Sequence, residues 1–421
     1  MSTQLRLFAI SSNLEKNAFL VLSIALAFSI PFKAIYNSIS CIALLIFWIF
    51  FMRKSFDSPR LKIVLGISIL FWIALIGMVY TQNFEEGLFR LQQKSLLLLL
   101  PTIFITISID WKNEFKWIVS FFILGVLTAC FVCLMNASVH LILYNGYERF
   151  FSHDLTSFID LYPYIMSMLC LASILILAEV GLGRLNIYWF NNSRVVLIGL
   201  ILFFSIFIFL LSVKQVIIAW LGFTIVYSIR TINNKITAIV IAIIGFLIVS
   251  TSISFIPTLK AKLDEIVSGK ENTIPLDQDA SLGRGWNGIA MRKAVWLCSI
   301  DAINQSPWIG VGTGDGQDAL QIVYENRQFY FASRFNRFNT HNQYLQVIVN
   351  YGFLGVFLWI VSLFYLLKVN RSNWLVIALI FIFVFAMLTE SMLETNKGVV
   401  LMAFLLSIFS APIDIIPRIE K

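Results

Sequence analysis

The sequence predicts an all-α, polytopic membrane protein of about twelve transmembrane helices, with a large extramembrane loop between spans 9 and 10. Three observations carry this. Of the 421 residues, 59% are hydrophobic and only 13% charged, against roughly half and a quarter in globular domains. Uncharged apolar runs of about 18 residues recur along the chain, each long enough to cross a bilayer. Runs such as VVLIGLILFFSIFIFLL (195–211) do not alternate in polarity, which excludes the inside–outside pattern of a β-barrel.

Hydropathy places the spans, in order, near residues 18–34, 36–52, 61–80, 90–109 and 116–137. Four more follow near 161–180, 193–212, 214–229 and 236–256, and the last three near 342–367, 374–390 and 397–415. The first follows a short charged leader without a small-residue cleavage site, so it reads as a retained span. The first pair, and the seventh with the eighth, are tightly spaced, which fixes the count to within one. No internal repeat is evident, and the inverted repeats of many transporters are not apparent.

The net charge of +8 has two readings. A nucleic-acid partner would ask for a separate basic tail, and none is present. Lys and Arg instead gather on alternate loops, as the positive-inside rule expects. One set holds Arg53, Lys54, Arg60 and Lys62, then Lys112 and Lys116, Arg184 and Arg194, Arg230 and Lys235, and Lys368 and Arg371. The opposite connections hold Lys33, Arg90, Lys94, Arg149, Lys214 and Lys397. Both termini are therefore expected inside. The chain divides into spans 1–9 (residues 1–256), an extracytoplasmic loop with amphipathic helices (257–340), and spans 10–12 beginning with a histidine helix (341–421).

That loop carries Trp286, Trp296, Trp308 and several Phe and Tyr residues, too many for a disordered segment. GWNGIAMRKAVWLCSIDAINQSP (285–307) reads as an amphipathic helix with Ile289, Arg292, Trp296, Ser299 and Ile303 along one side, ended by Pro307. GVGTGDG (310–316) looks superficially like a nucleotide loop. No strand precedes it and the Lys-Ser/Thr of a P-loop is missing, so it reads as a flexible turn.

RFNTHNQYLQVIVNYGFLGVFLWI (334–357) opens polar and finishes apolar, with His341 at the change. Asn339 or Thr340 as N-cap would put His341 in the first helical turn. The positive end of the helix there favours the neutral ring, the form that can act as a general base. Asn342, Gln346 and Asn350 recur every four residues as a polar stripe turned away from lipid. The plainer reading, a histidine that only caps or snorkels, would win for His341 alone. Its surroundings argue otherwise. Arg327, Arg334 and Arg337 lie just before it among Phe329, Tyr330, Phe331, Phe335 and Phe338; Arg292 precedes them, and Lys214 stands between two apolar spans on the same side. Cations at a wet helix mouth suit an anionic ligand such as pyrophosphate. For any one of these arginines a solvated basic face is an equal alternative, whereas Lys214 is a functional candidate by its position, with a lysine snorkelling at the outer interface as the alternative.

The remaining candidates have plainer readings. Glu390 and Glu394, one helical turn apart, could supply a second base or an acceptor contact, but two solvated carboxylates are the plainer reading. His140 and His153 lie near the third outer loop without a supporting constellation. Cys130 and Cys133 form a C-x-x-C inside an apolar helix, where core packing is the default. With Cys41, Cys170 and Cys298 they are too scattered for a disulfide framework. No cluster has metal-ligand spacing, so no metal is expected.

Together these features resemble the O-antigen ligase and polymerase superfamily of bacterial inner-membrane glycosyltransferases. The resemblance rests on Arg292 with Trp296 in RKAVW, PWIGVGTGDG (307–316), THNQYLQVIVNYGFLG (340–355) and LTES (388–391). Ligases of this family are associated with a His, an amide or Ser, nine residues, then Gly-x-x-Gly, which here is His341, Asn342, then Gly352 and Gly355. One departure is Lys214 where the family usually carries an Arg, which keeps the charge but loses bidentate phosphate binding. The resemblance implies a bacterial inner-membrane enzyme with its site facing the periplasm. Its donor would be an undecaprenyl-pyrophosphate-linked glycan and its acceptor a hydroxyl of lipid A-core or another glycan. No cofactor and no nucleic acid are implied, and membrane lipid is the surrounding partner. His341 and Arg292 would be catalytic; Lys214, Arg292, Arg334 and Arg337 would bind pyrophosphate; Asn342, Gln346 and Trp296 would support them. A polymerase, a protein O-oligosaccharyltransferase and, outside enzymes, a polar-solute transporter or flippase are the alternatives. A transporter predicts charges at mid-membrane, whereas these cluster at one rim.

Overall fold

Many of the apolar runs open on a short polar side chain that satisfies the first free amides of a helix. Ser11 accepts from Leu14 N, Asp57 from Arg60 N, Asn83 from Glu86 N, Ser193 from Val196 N and Thr395 from Gly398 N. The computed structural model describes residues 11–108, 110–189, 193–232, 234–267 and 288–411. Among these there is no strand, only an isolated bridge between Lys54 and Ile107. The helices are α1 (Ser12–Ser29), α2 (Ala34–Phe51), α3 (Ser58–Gly77), α4 (Phe84–Thr106), α5 (Lys112–Tyr144), α6 (Ser152–Thr156), α7 (Pro163–Gly181) and α8 (Arg194–Leu211). They continue as α9 (Lys214–Thr231), α10 (Lys235–Phe255), α11 (Pro257–Val267), α12 (Gly288–Gln305), α13 (Gly316–Asn326), α14 (Gln343–Val369), α15 (Trp374–Ala386) and α16 (Asn396–Ser410).

All but α6, α11, α12 and α13 coincide with a span expected from hydropathy. The ends move where local chemistry sets them. α1 and α4 start nearly two turns earlier than hydropathy suggests because Ser11 and Asn83 cap them, and α5 continues to Tyr144 before Asn145 closes it in a left-handed conformation. The C-terminal end of the last expected span, residues 412–415, and Trp286 lie outside the described residues. By length and composition α2, α3, α4, α5, α7, α8 and α14 can cross a membrane. The chain is an all-α, multi-pass membrane protein.

α16 sits at the centre: its residues from Lys397 to Ser410 are all buried, as expected of a helix apolar all round. It packs on α4, and α3 packs between α4 and α14. α2 is the opposite case, with Ile35, Ile39, Ile42 and Ile46 all exposed toward the space lipid would fill. Close helix crossings use glycine: a Cβ at Gly66 of α3 would stand 2.9 Å from Leu366 Cδ2 of α14. The Arg230 guanidinium lies 4.3 Å over the Trp374 ring, joining the end of α9 to the start of α15. Lys214, at the other end of α9, therefore shares an end of the bundle with Ala386 and the turn that follows it.

A second apolar cluster lies outside the main one. Val295 and Cys298 of α12 meet Leu320 and Tyr324 of α13, Phe329, and Val349 of α14. The buried face of α12 is Ala294, Val295, Cys298 and Ala302, which corrects the expected line through Ile289, Arg292 and Trp296; Ser299 and Ile303 belong to both. Trp296 is half-buried against this cluster.

The glycine run is not a flexible turn. α14 is broken at Gly352 (φ 65°, ψ −172°), and the ladder bonds that Phe353 and Leu354 would make to Val349 and Asn350 are exchanged for bonds to residues 307–312. Phe353 N donates to Pro307 O (2.8 Å) and Leu354 N to Trp308 O (3.2 Å), while Val311 N donates to Val349 O (3.0 Å) and Gly312 N to Asn350 O (2.9 Å). All four backbone groups freed by the break are thus satisfied. The two chains approach so closely that a Cβ at Gly310 or Gly352 would run into the opposing backbone, and both glycines have positive φ. The same loop is tied to the α3–α4 turn, since Asp315 accepts from Gln82 N (2.8 Å) and Asn83 N (2.7 Å).

Candidate active site at the mouth of α14

The start of α14 lies one residue pair later than its polar residues suggest. Asn342, not Asn339 or Thr340, is the N-cap, accepting from Tyr344 N (2.9 Å) and Leu345 N (3.1 Å). His341 therefore stands just before the helix, in a left-handed conformation (φ 46°), and not in its first turn. Asn339 and Thr340 hold this bend: Asn339 Oδ1 accepts from His341 N (2.9 Å), and Thr340 Oγ1 donates to Asn342 O (2.7 Å). The bend is stitched to the turn between α15 and α16. Asn342 N donates to Ser391 Oγ (3.1 Å), Asn342 Nδ2 to Leu388 O (3.0 Å), and Gln343 N to Met387 O (2.9 Å).

This stitching brings Glu390 to the histidine. Glu390 Oε2 lies 3.7 Å from His341 Nδ1, and Glu390 Oε1 accepts from Arg292 Nη2 at 2.6 Å. Arg292 is further fixed by donating from Nε to Thr389 O (3.2 Å) and from Nη1 to Gly288 O (3.1 Å). The ring of His341 stands edge-on to Phe338, 5.3 Å between centroids. Its Nε2 is buried and has no hydrogen-bond partner among the described residues. A guanidinium, a carboxylate and an imidazole thus form a line, with the far ring nitrogen open to a proton. The arrangement can orient the imidazole through Nδ1 and leave Nε2 to accept or donate.

Glu390 is only 14% exposed, so the solvated-carboxylate reading is corrected. Glu394 departs from it further. It is buried and faces Lys94 Nζ at 3.1 Å, with Arg90 Nη1 at 3.9 Å. Burial alone would raise its carboxyl; the Lys94 and Arg90 charges, with hydrogen bonds from Lys94 and Gln343, hold it below the usual carboxylate range.

The expected polar stripe is buried, and it divides by role. Gln346 Oε1 accepts from Thr340 N (3.2 Å), and Gln346 Nε2 donates to Asn350 Oδ1 (3.3 Å), so Gln346 braces the bend. Of the candidate cations, Arg292 contacts the histidine cluster, through Glu390. Arg334 lies over the Tyr330 ring (4.1 Å) and faces Glu325 (3.4 Å). Arg337 faces Asp318 (4.0 Å) and lines a cleft above α4. Lys214 heads α9, half-buried, at the same end of the bundle. His140, near the end of α5, contacts Gly146 O just beyond that helix.

Sequence reasoning missed Glu390, Thr340 and Ser391 as parts of one unit. Glu390 meets Arg292 across 98 positions, and no local periodicity spans that distance.

Residues 187–360 match the family model described as O-antigen ligase. No curated protein matches the chain. The matched stretch includes Lys214, Arg292, His341 and the break at Gly352, and stops before Glu390. Members of that family are glycosyltransferase-like enzymes that act on lipid-linked glycans and acceptors. Residues 187–360 of this multi-pass membrane chain are thus similar to the O-antigen ligase family.

Proposed function

We propose that the chain transfers a glycan from undecaprenyl pyrophosphate to a hydroxyl of a lipid A-core sugar, at the periplasmic face of the bacterial inner membrane. The observation that carries this reading is the line Arg292–Glu390–His341 ending on the unpartnered Nε2. In this reading His341 Nε2 takes the acceptor hydroxyl proton as the oxygen attacks the anomeric carbon. A C–O bond forms to the acceptor, the anomeric C–O bond to phosphate breaks, and undecaprenyl pyrophosphate leaves with the electron pair. Glu390 is a positioning residue that fixes the ring through Nδ1. Arg292 meets the charge developing on the leaving diphosphate, and Lys214, Arg334 and Arg337 supply further positive charge around its path. Asn342, Gln346 and Trp296 hold the bend and α12 in place. Residues 1–256 and 341–421 form the membrane body, and 257–340 the periplasmic cover. No cofactor or metal ion is required, because the donor carries its own activated bond.

The test supplies purified protein with a lipid-linked glycan and, separately, lipid A-core, a second lipid-linked glycan or a peptide. Extension of lipid A-core, lost on His341→Ala by a factor on the order of 10² to 10⁴ as expected for a general base, supports the proposal. Extension only of the second glycan or of the peptide moves the chain to the polymerase or protein-glycosylating class. Unchanged turnover in His341→Ala removes the base from the mechanism.

A further inference from the structure

At the end of the bundle away from the histidine bend, α7 packs closely on α8, whereas α9 touches both only lightly. Two hydrogen bonds hold α9 there: Trp220 Nε1 donates to Ser205 Oγ of α8 (3.0 Å), and Tyr227 OH donates to Glu179 Oε1 of α7 (2.9 Å). Between these bonds the three helices part. They leave a wedge of about 480 Å³, whose walls include Leu171, Leu175, Leu197, Ile198, Ile201 and Phe223. Ile198 is exposed at its open side, and Arg194, the first residue of α8, stands at one end.

Shape and charge say what would lie there. The wedge follows α7 from Leu171 to Gly181, a rise of about 15 Å, or half the roughly 30 Å of a hydrocarbon core. A second helix of that length, about 10 Å across, would fill on the order of 1,200 Å³, more than twice the wedge. An extended acyl chain is narrow enough. The polar side chains along the walls are satisfied within the protein, since Thr224 Oγ1 donates to Trp220 O and Ser228 Oγ to Thr224 O, so the interior suits an apolar occupant. Its Arg194 end is different. Arg184, Arg194 and Arg230 gather there against Glu179, which is already engaged by Tyr227 and by Arg184 at 3.8 Å. Arg230 lies over the Trp374 ring, whereas Arg194 is exposed and has no ion pair among the described residues.

We propose that the wedge holds one acyl chain of an anionic phospholipid whose phosphate sits against Arg194, a structural lipid that completes the packing of α7, α8 and α9. The second acyl chain stays in the bilayer. A zwitterionic head would bring its own cation to an end that already has three, so a head of net negative charge is favoured. The site is remote from His341 and stands whether or not the transferase reading does.

The experiment places the full chain in phosphatidylcholine nanodiscs doped with either phosphatidylglycerol or phosphatidylcholine carrying a diazirine at mid-chain. Phosphatidylglycerol is expected to label peptides covering residues 171–181, 194–201 and 220–228 several times more than phosphatidylcholine does. Arg194→Gln should lower its labelling roughly fivefold, the loss of one basic contact to an anionic head, and Arg194→Lys should keep most of it. Ala178→Phe, which fills the wedge from the α7 wall, should lower labelling by both lipids about tenfold. Ile42→Trp, on the exposed face of α2, should leave it unchanged. Because Arg194 is exposed, its variants keep the test open even where Ala178→Phe fails to fold. Equal labelling by the two lipids, or labelling by phosphatidylglycerol that persists in Arg194→Gln, overturns the proposal. So does crosslinking of these peptides to a second copy of the chain in place of lipid.

Discussion

Glu390 and Glu394 stand four residues apart in one turn, and their surroundings differ. Glu394 turns inward to the fully buried Lys94 and to Gln343, and closes the bundle where α4, α14 and α16 meet. Glu390 turns outward to Arg292 and His341, at a mouth where the ring is 22% exposed. The first pair exchanges hydration for contacts entirely within the protein, so its energy serves folding. The second leaves a buried ring nitrogen without a partner among the described residues, which the proposed reading gives to the acceptor hydroxyl. Residue type is the same for both carboxylates, and only their partners separate the one buried in the bundle from the one the proposal places at the site.

This contrast can be broken from either side. The largest effect is expected on the inner side. Lys94→Met removes the nearest cation from the buried Glu394, leaving it Arg90 and Gln343, and should destabilise the fold by up to about 3–5 kcal/mol, read as a loss of monodisperse protein and a lower Tm; an unchanged Tm would mean the pair is idle. Next comes Arg292→Ala on the outer side, which should lower kcat on the order of 10² to 10³ with Tm nearly unchanged.

A smaller effect follows from acidity. Because the folded Glu394 carboxyl sits below its ordinary value, its contribution is present above the unfolded value of about 4.3 and is lost as pH falls through the lower folded value. Stability of the wild type should therefore decline on acidification below about pH 4, and Glu394→Gln should show a flatter decline over the same window. The smallest concerns Cys298, buried in the second cluster, whose thiol burial pushes up to about 11. It should resist maleimide at neutral pH until the α12–α13 unit is unfolded, and rapid labelling of folded protein would show that unit to open readily.

The same contrast shows how far a sequence can be read. The twelve apolar runs were legible because lipid demands length and polarity from each one independently, and the observed helices differ mainly where caps such as Asn83 set the ends. Arg292 and His341 were legible as candidates by type and by motif. The orientation of His341 was not. Asn339, Thr340 and Asn342 can all cap a helix, and the choice was made by Ser391 and Leu388 from a distant turn. The glycine run looked mobile for the same reason: its rigidity comes from the broken turn of α14 at Gly352, with which it shares four backbone hydrogen bonds. Residues whose meaning depends on a remote partner stay hidden until the partner is seen.

The most direct test measures kcat and Tm together for Glu390→Gln and Glu394→Gln in the lipid-linked glycan assay, per mole of folded protein. The account predicts that Glu390→Gln lowers kcat roughly tenfold or more, with KM for the donor and Tm little changed and with partial recovery in Glu390→Asp, while Glu394→Gln lowers Tm and leaves kcat near the wild type. Full turnover in Glu390→Gln, or loss of kcat without loss of Tm in Glu394→Gln, would contradict it.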